Sequence, residues 1–246
     1  MKKILVLILL ILVINLSNFK VFASGSGEVY DTKIDVGSMD REDINSLLEF
    51  FGYDVFINIS RLATNFAFID DFRPDIVASD ILNKLEDYKS KNVLIASDNV
   101  KIELMRLSKI YGGCILAEIP ELKFKYKISY MQLRNSIVSE KVLKIYDFNC
   151  KLERIGYKNF IQLANDSISE ITCKFSYHTS CDASEIARDL KRYYFEGYTI
   201  TSNVVKGSLM KLAKLYSDER ISIIDPLTKD STLISLEEIR ESMELE

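Results

Sequence analysis

The sequence repeats itself at a spacing of about 105 residues. Residues 78–111 align with residues 183–216 without a gap, and a Gly-Tyr pair, Gly52-Tyr53 and Gly156-Tyr157, precedes each segment. The positions of 78–111 that recur unchanged include Ser79, Ile81, Leu85, Tyr88, Ile95, Ser97, Val100, Lys101, Leu104, Met105, Leu107, Lys109 and Tyr111. Chance apolar patterning reproduces one amphipathic helix, but not an ordered series of polar and aromatic identities. The chain is therefore predicted to contain two diverged copies of one fold.

Each copy is predicted to be an α/β unit of roughly 100 residues with the element order α-β-β-α-β-α-β. In the first copy, helices are predicted at 40–51, 76–89 and 100–111, and strands at 55–59, 65–69, 93–96 and 115–119. In the second copy, helices are predicted at 142–155, 183–195 and 205–216, and strands at 160–163, 170–177, 198–201 and 221–224. Because strands that alternate with helices favour parallel neighbours, the predicted fold class is a tandem α/β duplication with mixed, mostly parallel sheets.

The first 23 residues have the order of a secretory signal peptide. Lys2 and Lys3 are followed by an apolar run over 4–16, and Val21-Phe22-Ala23 offers small or apolar residues for cleavage. The run is short for a spanning helix, which needs about 20 residues. We expect cleavage after Ala23 and export to the periplasm or the exterior of a bacterial cell, with an uncleaved membrane anchor as the alternative.

The predicted organisation divides the chain into a series of segments. They are the signal peptide 1–23, the first α/β unit 24–121, a connecting strand 122–139, the second α/β unit 140–227 and a helical tail 228–246. Residues 123–130 alternate polar and apolar side chains, which indicates a half-buried edge strand in the connection. No Gly-, Pro- or Ser-rich linker separates the units, so we expect them to pack on each other.

The composition and the charge limit the classes of partner. Hydrophobic residues make up 48% of the chain, which is enough for a real core, and the formal net charge is −4. An acidic protein lacks the positive field that nucleic acid or an anionic membrane surface requires. We therefore expect an envelope or secreted protein as the partner, no nucleic acid, and no integral membrane segment after cleavage.

Four cysteines, Cys114, Cys150, Cys173 and Cys181, belong to the predicted mature part of the chain. An even count in an exported protein permits two disulfides in any of three pairings, and buried free thiols fit equally well. None of the pairs has the CxxC spacing of a redox centre or a zinc ribbon, so no metal site is assigned.

Residues that could carry out catalysis are few. His178 is the only histidine, and it is predicted to lie in a loop before a helix that begins at a capping box of Asp182 and Glu185. It could act as a general base beside Ser180 or Cys181, whereas the favoured interpretation is a dispensable loop histidine. The sequence contains no HExxH, GxSxG or phosphate-loop motif. We assign no catalytic residue and no cofactor, and we expect a non-enzymatic protein.

Ser97, Lys101, Ser202 and Lys206 are the candidate binding residues. Each Ser-Lys pair lies where a predicted strand meets the following helix, the edge at which open parallel sheets bind ligands. A serine and a lysine at a helix start favour an anion, so one hypothesis is a solute-binding receptor with its ligand between the units. The simpler interpretation is a helix cap followed by a surface lysine.

Both copies contain a predicted strand that ends in serine, a helix with a central Leu-Met and a strand that closes before proline. The residues are Ile95-Ala96-Ser97, Leu104-Met105 and Ile119-Pro120, and then Ile200-Thr201-Ser202, Leu209-Met210 and Ile224-Asp225-Pro226. The pattern resembles the exported thioredoxin-like assembly proteins of F-type conjugation systems, although no Met-Pro follows the serine and no cysteine pair is present. The resemblance implies a non-enzymatic role in building a secretion channel or a pilus. The predicted function is therefore an exported protein-binding or assembly component of the bacterial cell envelope.

Overall fold

The structure is a computed structural model, and it describes residues 40–65, 74–119, 124–174 and 177–243, apart from the side chains of residues 168–181. The predicted signal peptide, 1–23, lies outside the described residues. All the described residues belong to one compact unit, Met39–Glu246. None of the helices in this part of the chain is long and apolar enough to cross a membrane.

Three helices, a β-hairpin and a short helix follow one another, and this order occurs twice in the described chain. The first repeat consists of α1 (Arg41–Ala63), α2 (Pro74–Ser90), α3 (Asp98–Ile110), β1 (Cys114–Ile119), β2 (Phe124–Ser129) and α4 (Tyr130–Asn135). The second repeat consists of α5 (Glu140–Lys174), α6 (Tyr177–Glu196), α7 (Asn203–Lys214), β3 (Arg220–Ile224), β4 (Ser231–Ser235) and α8 (Leu236–Glu241).

The predicted fold class is wrong. The described strands form two antiparallel hairpins, β1 with β2 and β3 with β4, and no parallel pairing occurs among the described residues. The predicted α-β-β-α-β-α-β order is wrong because most of its strands are absent where the chain is described. Helices contain 55–59, 160–163 and the described part of 170–177, and loops contain 93–96 and 198–201. Residues 66–69 of the strand predicted at 65–69 lie outside the described residues.

A glycine interrupts the first long helix of each repeat, and it explains why the strand predicted after it is helical. Gly52 in α1 has φ 69° and ψ 172°, and Gly156 in α5 has φ 74° and ψ 164°, so neither is helical. Helical periodicity stops at such a break, and the β-branched and aromatic run that follows is typical of a strand. The chain nevertheless resumes its helix, because Phe56, Ser60 and Ala63 fall on one buried face at spacings of three and four.

Each hairpin leads directly into a capped short helix. The Ser129 side chain accepts a hydrogen bond from the backbone N–H of Gln132, and the Gln132 side chain accepts one from the Ser129 N–H. Ser235 and Glu238 form the same capping box before α8. The segments 122–139 and 228–246, predicted as a connecting strand and a helical tail, thus each hold the second strand of a hairpin and a short helix.

Two hydrophobic cores form, and α5 contributes to both of them. The first core is built from α1, α2, α3 and the first hairpin, and it includes Val142 and Tyr146 from the beginning of α5. The second core contains Phe148 and Leu152 of α5 together with buried residues of α6, α7 and the second hairpin. The two repeats therefore share α5 as a common wall.

Replacing Gly156 by alanine should destabilise the protein, because a Cβ strains a backbone with φ 74° and ψ 164°. We expect the free energy of unfolding to fall by about 1–3 kcal/mol, measured by chemical denaturation. Gly207 in α7 is the matched control, since an added Cβ there meets no atom within 4 Å. Gly207→Ala should stabilise the protein by about 0.4–1 kcal/mol. Equal effects of the two substitutions would contradict the break in α5.

Candidate functional site

The two candidate lysines have the same structural role in the two repeats. Nζ of Lys101 in α3 donates to the carbonyl oxygen of Ser136 just after α4, and Nζ of Lys206 in α7 donates to that of Ser242 just after α8, both at 2.9 Å. Both lysines are buried, and burial lowers the pKa of Lys101 below its ordinary value. The ammonium groups thus bind C-terminal carbonyl groups of the short helices inside each repeat, away from the surface where the sequence predicts an anion.

Ser97 and Ser202 occupy the N-cap positions of α3 and α7, and their backbones are extended as an N-cap requires. Their side chains make no cap hydrogen bond, so the cap interpretation is wrong for the hydroxyl groups. Both hydroxyl oxygens are buried, and neither has a hydrogen-bond partner within the described part of the chain. Because the hydroxyl groups of Ser97 and Ser202 are buried, these serines do not form an open anion site with the buried lysines.

The loop predicted around His178 is wrong, because the backbone is helical from Tyr177 onwards, in α6. Asp182, predicted to begin the helix as its cap, lies inside α6 and is exposed. The side chains of 168–181 are outside the described residues, so the pairing of His178 with Ser180 or Cys181 stays a hypothesis.

Two of the four cysteines are described with their side chains. Cys114 in β1 and Cys150 in α5 carry free thiols, and Nζ of Lys109 lies 2.9 Å from the Sγ atom of Cys150. The side chains of Cys173 and Cys181 lie outside the described residues, so disulfide and free thiol both stay open for these two cysteines. Within the described ranges, no group of His, Cys, Asp and Glu is placed to hold a metal ion.

Residues of α2, α3 and α5 line a cavity of about 380 Å³. Among its lining residues, α3 contributes Ile102 and Arg106, and α5 contributes Tyr146 and Asn149. Lys206 of α7 lines it as well, so both repeats surround this space. We call it the junction cavity.

Charged side chains from α2, α3 and α5 surround Arg106, which lines the junction cavity. Nη1 of Arg106 lies 2.6 Å from Glu103 and 2.7 Å from Asp80, and its Nε lies 3.8 Å from Glu153 of α5. Lys84 adds contacts of 3.2 Å with Glu103 and 3.7 Å with Asp80. We call these side chains the junction ion cluster. Arg106 is 7% exposed and Glu103 is 3% exposed, so each charge depends on the other for compensation away from water.

Burial and neighbouring charges act against each other on the pKa values of the junction ion cluster. Burial opposes the charged form of Arg106, but the carboxylates of Glu103, Asp80 and Glu153 raise its pKa well above the ordinary value. Burial alone would raise the pKa of Asp80, whereas Arg106 and Lys84 lower it below the ordinary value. Burial alone would lower the pKa of Lys84, whereas Glu103 raises it. Arg106, Asp80 and Lys84 are therefore charged at neutral pH.

Three polar atoms of residues that line the junction cavity are buried without a partner. They are Nη2 of Arg106, a hydrogen-bond donor, Oδ1 of Asn149, an acceptor, and the hydroxyl oxygen of Tyr146, and none of them finds a hydrogen-bond partner among the described residues. A buried polar group left in this way costs about 1–3 kcal/mol.

The two buried charges of the junction ion cluster, Glu103 and Arg106, have no buried charged counterpart in the described second repeat. In the alignment of 78–111 with 183–216, Glu103 corresponds to Ser208 and Arg106 corresponds to Lys211. Lys211 is exposed, whereas Arg106 is buried. The buried charges of Glu103 and Arg106 therefore lie where α5 covers α3, and the repeated fold does not require them.

The helix that forms the opposite wall of the junction cavity is α5, and its residues there also differ from those of its counterpart in the first repeat, α1. Tyr146 and Cys150 of α5 line the cavity, and the alignment that pairs the two helix-breaking glycines places Glu42 and Ser46 of α1 at their positions. Glu42 and Ser46 are both exposed. In repeat proteins, the faces between neighbouring repeats are packed and the outer face of a terminal repeat is polar. The face of α5 that carries Tyr146 is of the first kind, and the face of α1 that carries Glu42 is of the second.

Sequence reasoning reached one lining residue of the junction cavity, Lys206, and missed the others because it followed the residues that the copies share. The signal that could have found the cavity is the divergence of the copies. Tyr146 of α5 aligns with the charged Glu42 of α1. An aromatic residue aligned with a charged one indicates a helix face that is buried in one repeat only.

Comparisons with protein-family models, with curated proteins and with solved structures find no match for the chain. The resemblance to assembly proteins of conjugation systems therefore stays a prediction.

Replacing Arg106 by methionine should cost about 3 kcal/mol or more of the free energy of unfolding, because Glu103 would remain buried without its partner. Lys211→Met is the matched control at the corresponding, exposed position of α7, and it should change the free energy by less than about 0.5 kcal/mol. Chemical denaturation of both variants measures the difference. Similar losses in the two variants would refute the role of Arg106 in the junction.

Asp80 should contribute to stability at neutral pH and lose that contribution in acid. Its pKa is lowered in the folded protein, so the contribution is complete above the ordinary carboxyl pKa and disappears as the pH falls through the folded value. The stability difference between wild type and Asp80→Asn should therefore be largest near neutral pH and shrink below about pH 4. Asp54, whose side chain is 79% exposed, supplies the control Asp54→Asn, expected to change stability little throughout. A deficit of Asp80→Asn that does not vary with pH would contradict the argument.

Proposed function

We propose that the chain is an exported, non-enzymatic binding protein that holds a small molecule in the junction cavity. The observation that carries the proposal is a cavity of about 380 Å³ that residues of both repeats line, such as Arg106 and Asn149. Small-molecule sites have volumes of roughly 300–1,000 Å³ and combine apolar walls with a few polar groups. Ile102, Val142 and Ile145 supply apolar surface to this cavity.

The proposed export of the protein is supported by residues 1–23, which have the order of a secretory signal peptide. Both repeats contribute to one site, because Arg106 comes from α3 and Asn149 from α5. A ligand at this place would add contacts across the junction. A ligand site between the two copies fits a solute-binding receptor. The fold by itself would not indicate this function, because the residues of a site determine what it binds.

A second candidate function, the binding of a partner protein in the cell envelope, is favoured by an exposed aromatic surface at the end of α6. Phe195 is 82% exposed and Tyr198 is 43% exposed, and the ring of Phe195 packs edge-on against Tyr194. The first repeat has Ser90 and Val93 at the positions of Phe195 and Tyr198, so the fold does not require aromatic residues there. Aromatic residues are enriched at protein interfaces, which supports an assembly component of a secretion or conjugation apparatus.

The first proposal predicts that a ligand in the junction cavity shields Cys150 from alkylation. Cys150 lines the cavity with a free thiol, whereas the free thiol of Cys114 lies in β1 and serves as an internal control. The small-molecule fraction of the host culture, added to the mature protein, should slow the reaction of Cys150 with N-ethylmaleimide and leave that of Cys114 unchanged. Peptide mass spectrometry measures both rates in one sample.

A variant that fills the junction cavity tests where the protection arises. Asn99 lines the cavity, so Asn99→Trp places an indole there and should abolish the protection of Cys150. Val204, at the corresponding position of α7, is 47% exposed, and Val204→Trp is the matched control that should keep the protection. Melting curves establish that both variants fold. The proposal fails if no fraction protects the wild type, or if Asn99→Trp is protected as well as Val204→Trp.

A further inference from the structure

Charged side chains join α5 to the helices of the first repeat. Arg134 of α4 forms a bidentate ion pair with Asp147 of α5, with N–O distances of 2.7 and 2.8 Å. Nε of Arg106 in α3 lies 3.8 Å from Glu153 of α5. In both contacts the first repeat supplies the cation and α5 supplies the carboxylate. These contacts show which positions meet when the first helix of one repeat packs on the repeat before it.

The second repeat carries cations at the corresponding positions, and they are exposed. The capping serines of α4 and α8 align Arg134 with Arg240, and the alignment of the two copies places Lys211 at the position of Arg106. Arg240 and Lys211 are both exposed, and neither forms an ion pair with a described residue. An acidic protein therefore presents a basic face on α7 and α8.

The first repeat carries the matching carboxylates on α1, the counterpart of α5. The helix-breaking glycines align Asp43 with Asp147 and Glu49 with Glu153. Both carboxylates of α1 are exposed, and Glu49 forms no ion pair within the described residues. Asp43 accepts a hydrogen bond from the backbone N–H of Asp40, and a carboxylate has further lone pairs for a cation. The acidic face of α1 thus offers carboxylates at the positions through which α5 binds the first repeat.

A third pair of positions stays complementary although its residues have diverged. Nζ of Lys109 lies 4.9 Å from the centre of the Tyr146 ring, which is a cation–π contact between α3 and α5. The alignments place Lys214 at the position of Lys109 and Glu42 at that of Tyr146. Lys214 and Glu42 are both exposed. An ion pair would take the place of the cation–π contact, so opposite charges meet at this position as well.

We propose that the protein binds a second copy of itself head to tail, with α1 of one copy on α7 and α8 of the next, as α5 lies on α3 and α4. This arrangement pairs Asp43 with Arg240, Glu49 with Lys211, and Glu42 with Lys214. The occupant is another copy because the opposite charges lie in the register that the internal contacts define. The contact leaves one free face at each end, so copies add as an open chain or close into a ring. This assembly goes beyond the proposed function, because it needs no small molecule.

Sedimentation velocity of the mature protein at rising concentration and low ionic strength tests the assembly. We expect masses beyond two copies that return to the monomer as salt is added, because exposed ion pairs are individually weak and are screened. Arg240→Asp should weaken the association about tenfold or more, since like charges would then face each other. Arg188→Asp in α6 is the matched control and should leave it unchanged, because its counterpart Asn83 is exposed even where α5 covers the first repeat. A protein that stays monomeric in low salt, or that stops at two copies, overturns the proposal.

Complementary variants test the register of the contact. Asp43→Arg should prevent self-association as Arg240→Asp does, and a mixture of these two variants should associate again. In the mixture, the unchanged Arg240 of one variant meets the unchanged Asp43 of the other, and the two reversed charges also meet. Glu49→Lys leaves the capping box of α1 intact and should weaken the association as well. Melting curves establish that each variant folds. Association that the single variants leave unchanged, or a mixture that stays monomeric, would exclude this contact.

Discussion

The sharing of α5 between two cores is the constraint on which the rest of the structure depends. Val142 and Tyr146 are buried in the first core, and Phe148 and Leu152, only a turn away along the helix, are buried in the second. A repeat whose apolar face is covered by its neighbour gains stability that neither would have alone. The break at Gly156 then allows α5 to kink before it continues along the second repeat.

Covering α3 with α5 also has an electrostatic consequence. Arg106 lies on the covered face, and a buried guanidinium is tolerated only when carboxylates and hydrogen bonds surround it. Glu103, Asp80 and Glu153 reach it from three different helices, so its planar group is held in one place. Side chains fixed in this way cannot collapse to fill the space beside them, as aliphatic chains would. The junction therefore keeps a cavity between its two walls.

The sequence predicts those elements whose signal is local. The amphipathic helices around 76–89 and 100–111 and the strands at 115–119 and 221–224 agree with α2, α3, β1 and β3. The strands predicted at 55–59 and 160–163 are wrong because a glycine break hides a continuing helix, and a short apolar run does not distinguish helix from strand. The junction ion cluster was not predictable from spacing, since Asp80, Glu103 and Glu153 meet only through the packing of separate helices.

Lys101 and Lys206 show why identity between the copies of a repeat is a poor guide to function. Each lysine is kept because each repeat must satisfy the carbonyl groups at the end of a short helix, which is a requirement of the fold in both places. A binding site between two copies faces the opposite requirement, because its walls come from different faces of the repeat. The residues on those walls are then free to diverge from their counterparts, as Tyr146 has from Glu42. In this chain, Lys101 and Lys206 support the fold in both repeats, whereas Tyr146 and Glu42 differ because only the face that carries Tyr146 is covered by the other repeat.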